Sequence, residues 1–234
     1  KRVQELFLKA QLPEAIKSTI VDQISTRGLE DTFLAVRSSG LDEDSADNSF
    51  AGQFSSYLFQ KGWEQVETSL KLCWASAFSE RALSYRVERG LPLSGIRVGV
   101  VIQKMVNASS AGVVFSRHPI RVMDRDNVLI SSVWGLGEGL VSGELDSDNF
   151  ESHRTSHEVV SDLADKTHGL YQKSEGGLKS IELDGAKKQA PSLSPEEIKA
   201  IAELSIKLEE TFDAPQDSEF AIEEGKLYLV QTRP

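Results

Sequence analysis

Four polar side chains near the end of the chain have the types and the spacing to hold a metal ion beside a phosphate group. Asp217 and Glu219 are two residues apart, and so are Gln231 and Arg233. Residues two apart on a β-strand share one face. Carboxylate and amide oxygens bind hard cations, and the arginine fork binds phosphate. If the two pairs meet in a β-hairpin, they form a site that suits Mg-ATP.

The turn of this hairpin decides whether the two pairs meet. A three-residue loop at 224–226, with its glycine in the left-handed position, places Glu219 opposite Gln231. The same register places Asp217 opposite Arg233, whereas a two-residue turn would put the pairs on opposite faces. An ordinary surface hairpin with a cross-strand Asp–Arg ion pair is the alternative interpretation.

Two further segments have residues suited to a nucleotide. Arg37 ends a short buried strand and precedes a loop at 40–52 that is rich in Asp, Ser and Gly. It is a candidate phosphate clamp, or an arginine tied to a carboxylate, and the loop has the composition of a lid. Gln103 and Met105 end another buried strand, where backbone groups and a soft apolar side chain suit an adenine edge. A plain strand terminus is the alternative there.

The elements that must position these residues predict an α+β fold. Apolar residues at helical spacing predict one long helix from Trp63 to about Arg89 and another from Ser194 to about Phe212. β-rich runs at 98–105, 111–115 and 128–133 predict a mostly antiparallel sheet. The polar segment 173–189 is interpreted as a mobile loop or an edge hairpin.

A glycine-rich run at 135–139 does not predict a dinucleotide-binding turn. Such a turn opens a parallel βαβ unit, but short polar strands follow here. We therefore interpret the run as a backbone bend.

Composition excludes several classes of partner. The net charge of −10 disfavours nucleic acid and anionic membranes. Cys73 is the single cysteine and lies in an apolar helical stretch, which predicts a core residue and a reducing compartment. No apolar run is long enough for a membrane span, and the start has no signal-peptide character. The prediction is a cytoplasmic protein, and the missing initiator Met suggests a piece of a longer one.

Five motifs, in order, resemble the nucleotide-binding region of the phosphoenolpyruvate synthase and pyruvate phosphate dikinase family, which has an ATP-grasp fold. The similarity runs almost from end to end. The motifs are the V-R-S-S strand at Ala35–Ser39, the D-x-S-F-A-G-Q lid at Asp47–Gln53, the S-G-V-x-F strand at Ala111–Phe115, the G-L-G-E segment at Trp134–Gly143, and the closing D-x-E and Q-x-R-P at 217–219 and 231–234.

The resemblance implies a role for each matching residue. Arg37 and Arg233 would bind the ATP phosphates and act in catalysis. Glu219 and Gln231 would hold Mg²⁺, with Asp217 assisting. Metal and arginine would neutralise the charge that spreads over the transferred phosphoryl group.

The lid and the adenine pocket follow from the same resemblance. Gly52 and its neighbours, including Ser56, would form the lid, and Gln103 and Met105 would line the adenine pocket. In such proteins ATP is cleaved, and phosphate passes to a histidine on a separate domain and then to an acceptor in a third domain. Those two domains of the same longer chain are the implied partners.

The resemblance also implies a division into two lobes. Residues 1–95 would be a partial N-terminal lobe with the phosphate-binding strand and the lid. Residues 96–234 would be the C-terminal ATP-grasp lobe with the metal-binding hairpin.

Two features of the family are absent from this sequence. No G-G-K segment with its phosphate-binding lysine precedes Arg37, and the T-x-G-x-x-x-H histidine motif is not present. A fragment of a longer protein is favoured over a diverged one, and we expect it to bind Mg-ATP weakly without turnover. The leading prediction is a dikinase-type phosphotransferase most like phosphoenolpyruvate synthase (pyruvate, water dikinase). The alternatives are a rifamycin phosphotransferase and a non-catalytic nucleotide-binding module.

Overall fold

The chain divides into two units, residues 1–105 and 106–234. The computed structural model describes residues 2–40, 44–45, 48–49, 56–121 and 123–234. Both units combine antiparallel strands with packed helices, as the sequence predicts. The boundary lies beyond the expected position between residues 95 and 96. The strand that follows residue 97 pairs with the first strand of the chain, which keeps it in the first unit.

The N-terminal unit is built on a three-stranded sheet. Its elements are α1 (Arg2–Lys9), α2 (Glu14–Thr26), β1 (Leu34–Gly40), β2 (Asp44–Ser45), β3 (Asn48–Ser49), β4 (Ser56–Gln60), α3 (Trp63–Ser76), α4 (Glu80–Glu88) and β5 (Val98–Lys104).

β1 is the central strand of this sheet, between β4 and β5. Leu34 and Val36 on one of its faces pack against Val66 and Cys73 of α3, and all four side chains are buried. The prediction that Cys73 is a core residue is confirmed. Because side chains alternate along a strand, Arg37 lies on the other face of the sheet.

The single long helix predicted from Trp63 to about Arg89 is wrong. The structure has two helices, and Ser79 begins the second one by accepting a hydrogen bond from the Ala82 N–H at 3.1 Å. A serine favours an N-cap over a helix interior because its hydroxyl satisfies a free backbone donor. The apolar spacing continues through Ser79, which is why periodicity alone missed the break.

The C-terminal unit contains a larger sheet, a separate hairpin and three helices. Its elements are β6 (Ser110–Phe115), β7 (Asn127–Trp134), α5 (Glu138–Val141), β8 (Asp148–His153), β9 (Val159–Asp162), β10 (His168–Gln172), β11 (Leu178–Glu182), α6 (Gly185–Gln189), α7 (Pro195–Phe212), β12 (Asp217–Glu223) and β13 (Lys226–Arg233).

Six strands form an antiparallel sheet in the order β13-β12-β6-β7-β8-β9. The strand at 98–104 is not part of it, so the prediction that it joins the runs at 111–115 and 128–133 is wrong. One face of the sheet packs against α7 and forms the core. The buried side chains of this core include Val114, Ile130, Phe150, Ile198, Ile201, Ala202, Phe220 and Ile222.

The start of α7 confirms the prediction from sequence. The Ser194 hydroxyl accepts from the Glu197 N–H at 3.2 Å, and the Glu197 carboxylate accepts from the Ser194 N–H at 2.8 Å. This reciprocal capping box satisfies two backbone donors at the helix end.

The segment at 173–189 contains β11, which pairs with β10 in a separate two-stranded hairpin, and then α6. The prediction of a hairpin there is therefore right in part: its first strand precedes the segment, and a short helix ends it. None of the helices in the described residues combines the length and the apolar character that a bilayer crossing needs.

Candidate functional site

A cleft of about 290 Å³ lies on the face of the six-stranded sheet that points away from α7. Its polar residues come from β7, β12 and β13, and its apolar residues from β6 and α5. The lining residues are Val113, Phe115, Ser131, Leu140, Val141, Asp217, Glu219, Gln231 and Arg233.

All four residues predicted from the closing hairpin line this cleft. Asp217 lies opposite Arg233, and Glu219 lies opposite Gln231. The predicted cross-strand partners are therefore confirmed, and the carboxylates, the amide and the guanidinium lie on one face.

The turn that joins these strands differs from the prediction. It contains two residues, Glu224 and Gly225, with φ of 51° and 75°, as a type I′ turn requires. The observed register pairs Leu227 with Ile222, which packs Leu227 against the core. A three-residue loop would have turned Leu227 away from the core.

A β-bulge at Val230 allows the two-residue turn and the predicted partners to coexist. Phe220 pairs with Leu229, so regular pairing would place Val230 opposite Glu219. The register shifts between Glu219 and Phe220, and Gln231 becomes the partner of Glu219 instead. One extra residue in one strand restores the face on which the following side chains lie. Val230 is an ordinary strand residue by type, so the sequence does not indicate the bulge.

The Asp217–Arg233 pair is a two-donor ion pair on the cleft face. Nε and Nη2 of Arg233 both donate to Oδ2 of Asp217, at 3.0 and 2.7 Å. The side chains are 36% and 23% exposed, so solvent screens the pair and its contribution to stability is about 1 kcal/mol or less. With Glu219, the cleft carries two carboxylates and one guanidinium, which leaves a net negative charge.

This donor set fits a divalent cation that arrives with phosphate. No group of three His, Cys, Asp or Glu side chains in the described ranges is placed to hold a metal by itself. Mg²⁺ usually takes one or two protein carboxylates and completes its shell with water and substrate phosphates. Glu219 and Gln231, side by side, supply oxygens of this kind, and the negative charge favours a cation over a bare anion.

Three further residues line the cleft and were not predicted from the sequence: Ser131, Leu140 and Val141. The alternation of side chains along β7 could have indicated Ser131. Its neighbours Ile130 and Ser132 are buried on the other face, so Ser131 must face the cleft. Leu140 and Val141 belong to α5, four residues long, whose position follows from tertiary contacts.

The glycine-rich run bends the backbone, as predicted, and it also positions α5, which was not predicted. Gly135 has φ of 81°, and its N–H donates to the Ser109 carbonyl at 2.8 Å. The next N–H, of Leu136, donates to the Leu170 carbonyl at 2.7 Å. These bonds tie the start of the run to the residue before β6 and to β10, so α5 has a defined place beside the cleft.

Comparison with known proteins identifies the family. The whole chain, residues 1–234, matches the family described as pyruvate phosphate dikinase, AMP/ATP-binding domain. The chain belongs to this family.

Relatives of this dikinase family match along nearly the whole chain. A probable phosphoenolpyruvate synthase of Methanocaldococcus jannaschii is 35% identical over 239 residues, which cover 100% of this chain and 20% of that protein. One of Methanothermobacter thermautotrophicus is 33% identical over 236 residues, with 99% and 34% covered. Rifampicin phosphotransferase of Bacillus subtilis is 31% identical over 234 residues, with 100% and 27% covered. The chain thus spans between a fifth and about a third of these relatives.

The N-terminal unit of this dikinase-family chain brings three of its predicted residues to one sheet face. Arg37 pairs directly with Ser56 of β4, and Ala35 pairs with Gln103 of β5. Cross-strand partners share a face, and Ala35 shares its face with Arg37. Arg37, Ser56 and Gln103 therefore lie on the face opposite α3, at the half-buried or exposed positions of their strands.

Met105 lies directly after β5, and Gly52 lies outside the described residues. The Met105 N–H donates to the Phe33 carbonyl at 2.9 Å, which extends the pairing of β5 with the chain before β1. The predicted roles of Met105 in an adenine pocket and of Gly52 in a lid stay predictions.

Proposed function

We propose that the chain is the ATP-binding part, with an ATP-grasp fold, of a dikinase-type phosphotransferase most like phosphoenolpyruvate synthase. The observation that carries the proposal is the cleft in which Glu219 and Gln231 stand beside Arg233. Oxygen donors next to a guanidinium are what binding of a cation–phosphate complex requires. The family match supports the nucleotide as the source of the phosphate.

In this proposal the charged residues bind and orient the phosphates. Glu219 and Gln231 hold Mg²⁺, and Asp217 assists while it orients the Arg233 fork. Arg233 and Arg37 bind phosphate oxygens and stabilise the charge that develops there. When bound, Mg²⁺ neutralises charge on the phosphates. The partly exposed Asp217–Arg233 pair supports this assignment, because a guanidinium held by a solvent-screened ion pair exchanges partners at low cost.

The remaining roles concern the nucleotide's surroundings. Gly52 and Ser56 belong to a lid, and Gln103 and Met105 line the adenine pocket. The N-terminal unit is then the partial lobe with the phosphate-binding strand, and the C-terminal unit is the ATP-grasp lobe with the metal-binding hairpin.

The longer protein would cleave ATP and pass phosphate to a histidine on a separate domain, then to an acceptor on a third. Phosphoenolpyruvate synthases among the relatives support pyruvate as the acceptor. The rifampicin phosphotransferase match supports a second candidate, an antibiotic hydroxyl as acceptor. The longer protein distinguishes them by which compound becomes phosphorylated, whereas binding without turnover would indicate a nucleotide-binding module.

The first experiment is a calorimetric titration of ATP with Mg²⁺ into this chain and into Glu219→Ala. We expect saturable binding by the wild type and its loss in Glu219→Ala. Glu210→Ala, on the exposed face of α7, is the control for removing a negative charge elsewhere. If the wild type does not bind, or if Glu219→Ala binds equally well, the proposed site is wrong.

A further inference from the structure

Two adjacent serines of β7 have opposite environments. Ser132 is fully buried, and its hydroxyl forms a hydrogen bond of 2.5 Å with the Ser192 hydroxyl. Ser131 points to the other face of the sheet and lines the cleft. Ser132 thus has a structural partner in the core, whereas Ser131 is available to a ligand.

Ser131 belongs to a row of residues that crosses the sheet through the cleft. Each member lies directly opposite the next, so all share the cleft face. From one strand to the next, the row is Gln231, Glu219, Val113, Ser131 and Asn149.

The Ser131 hydroxyl has a defined direction. It donates its proton to Oδ1 of Asn149 at 2.6 Å, and Nδ2 of Asn149 donates to the Ser147 carbonyl at 3.4 Å. A hydroxyl has one proton and two acceptor lone pairs. With the proton committed to Asn149, the Ser131 oxygen can only accept further hydrogen bonds, so it suits a donor such as metal-bound water and not a phosphate oxygen.

We propose that Ser131 is a further residue of the cation–phosphate site, where it accepts a hydrogen bond from water bound to the divalent cation, and that Asn149 positions it. The inference rests on the proposed function of the cleft. Val113 separates Ser131 from Glu219, which sets their Cα atoms roughly 10 Å apart at the usual strand spacing. That separation suits contact through water, and Mg²⁺ keeps several of its waters in protein sites.

The test is a titration with Mn²⁺, followed by the electron paramagnetic resonance signal of the free ion, with and without ATP. Ser131→Ala should weaken Mn²⁺ binding in the presence of ATP by about tenfold, which is the usual effect of losing a residue that hydrogen-bonds to a metal ligand. Binding of ATP without metal should stay unchanged, because the serine contacts cation-bound water. Ser131→Thr keeps the hydroxyl and should restore binding, and Ser180→Ala, on an exposed position of β11, should have no effect.

A double-mutant cycle tests the role of Asn149. Asn149→Ala should weaken Mn²⁺ binding less than Ser131→Ala does, and it should add little in the Ser131→Ala background, because both act through one hydroxyl. If the wild type binds Mn²⁺-ATP and Ser131→Ala binds it equally well, this inference fails and the proposed function stands. An equal loss of metal-free ATP binding would also overturn it. If the wild type does not bind nucleotide, both fail.

Discussion

Arg233 donates from both Nε and Nη2 to a single oxygen of Asp217, as only a planar guanidinium fork can do. The fork explains why an arginine, and not a lysine, suits this position. A lysine would supply the same charge but only a single point contact, without the planar geometry that fits a carboxylate or a phosphate. At the residue scale, the cleft therefore depends on geometry as well as on charge.

We predict that Arg233→Lys weakens Mg-ATP binding by about tenfold or more, a loss comparable to one charge-assisted hydrogen bond. The free energy of unfolding should fall by only about 1 kcal/mol or less, because solvent partly screens the ion pair. Calorimetry and urea denaturation measure the two effects. A large loss of stability with unchanged nucleotide affinity would show that the pair is structural.

At the scale of elements, Glu209 attaches α7 to two loops of the sheet. Its carboxylate accepts from Arg117 at 2.6 Å and from Arg154 at 3.1 Å. Burial acts to raise the pKa of Glu209, but the hydrogen bonds from Arg117 and Ser116 and the charge of Arg154 together lower it below its usual value. The folded state therefore prefers the ionised carboxylate.

The sign of this pKa shift predicts how stability depends on pH. Because the folded-state pKa is lowered, Glu209 stabilises the fold above its ordinary pKa, and the contribution disappears as pH falls through the lowered value. Glu209→Gln should cost about 2–4 kcal/mol at pH 7, since it removes the negative charge that two arginines share. The difference from wild type should shrink below about pH 4. Urea denaturation across pH measures it, and the exposed Glu210→Gln should differ little from wild type at any pH.

The bend before α5 is a second element whose geometry can be tested. Gly135 combines a φ of 81° with close packing: a Cβ there would lie 1.9 Å from the Leu170 carbonyl oxygen. Gly135→Ala should destabilise the fold by at least about 2 kcal/mol. It should also weaken nucleotide binding, because α5 supplies a wall of the cleft.

Gly185→Ala is the matched control for this prediction. No atom lies within 4 Å of a Cβ at Gly185, which begins α6. Alanine in a helix should leave stability unchanged or raise it by up to about 1 kcal/mol. Thermal unfolding of both variants makes the comparison, and equal effects would contradict the steric explanation.

Local signals predicted the elements and contacts that depend on neighbouring residues. The helix start at Ser194 followed from spacing and residue type. The facing of Glu219 with Gln231 was predicted from a three-residue turn, whereas the structure achieves it with a two-residue turn and the bulge at Val230. The partner of β5, the break at Ser79 and the bulge at Val230 did not follow from the sequence, because each depends on packing between distant segments. The cleft was therefore predictable from its polar hairpin, while its walls from β7 and α5 required the fold.

At the scale of the whole molecule, the relatives of this chain are much longer than the chain itself. It covers 20% to 34% of the relatives compared above, and the proposed function places the phosphoacceptor histidine on a separate domain. Under that proposal, the chain would bind the nucleotide but would supply no group to which phosphate can pass.

We predict that this chain binds Mg-ATP and forms no AMP beyond the background rate. A longer protein that contains the acceptor domains should form AMP when pyruvate, or the alternative acceptor, is supplied. Chromatography of the nucleotides after incubation measures both. Steady AMP formation by this chain alone would contradict the proposal that ATP binding and phosphate acceptance belong to separate domains.

The extra residue at Val230 also bears on how this family is searched for and how it has diverged. Without that residue the hairpin would pair regularly, and Gln231 would still face Glu219. The spacing between the D-x-E and Q-x-R-P parts of the signature can therefore shorten by one residue without changing which side chains face each other in the cleft. A pattern with fixed spacing would overlook distant homologues that have lost the residue, and an alignment gap in this strand should fall at the bulge.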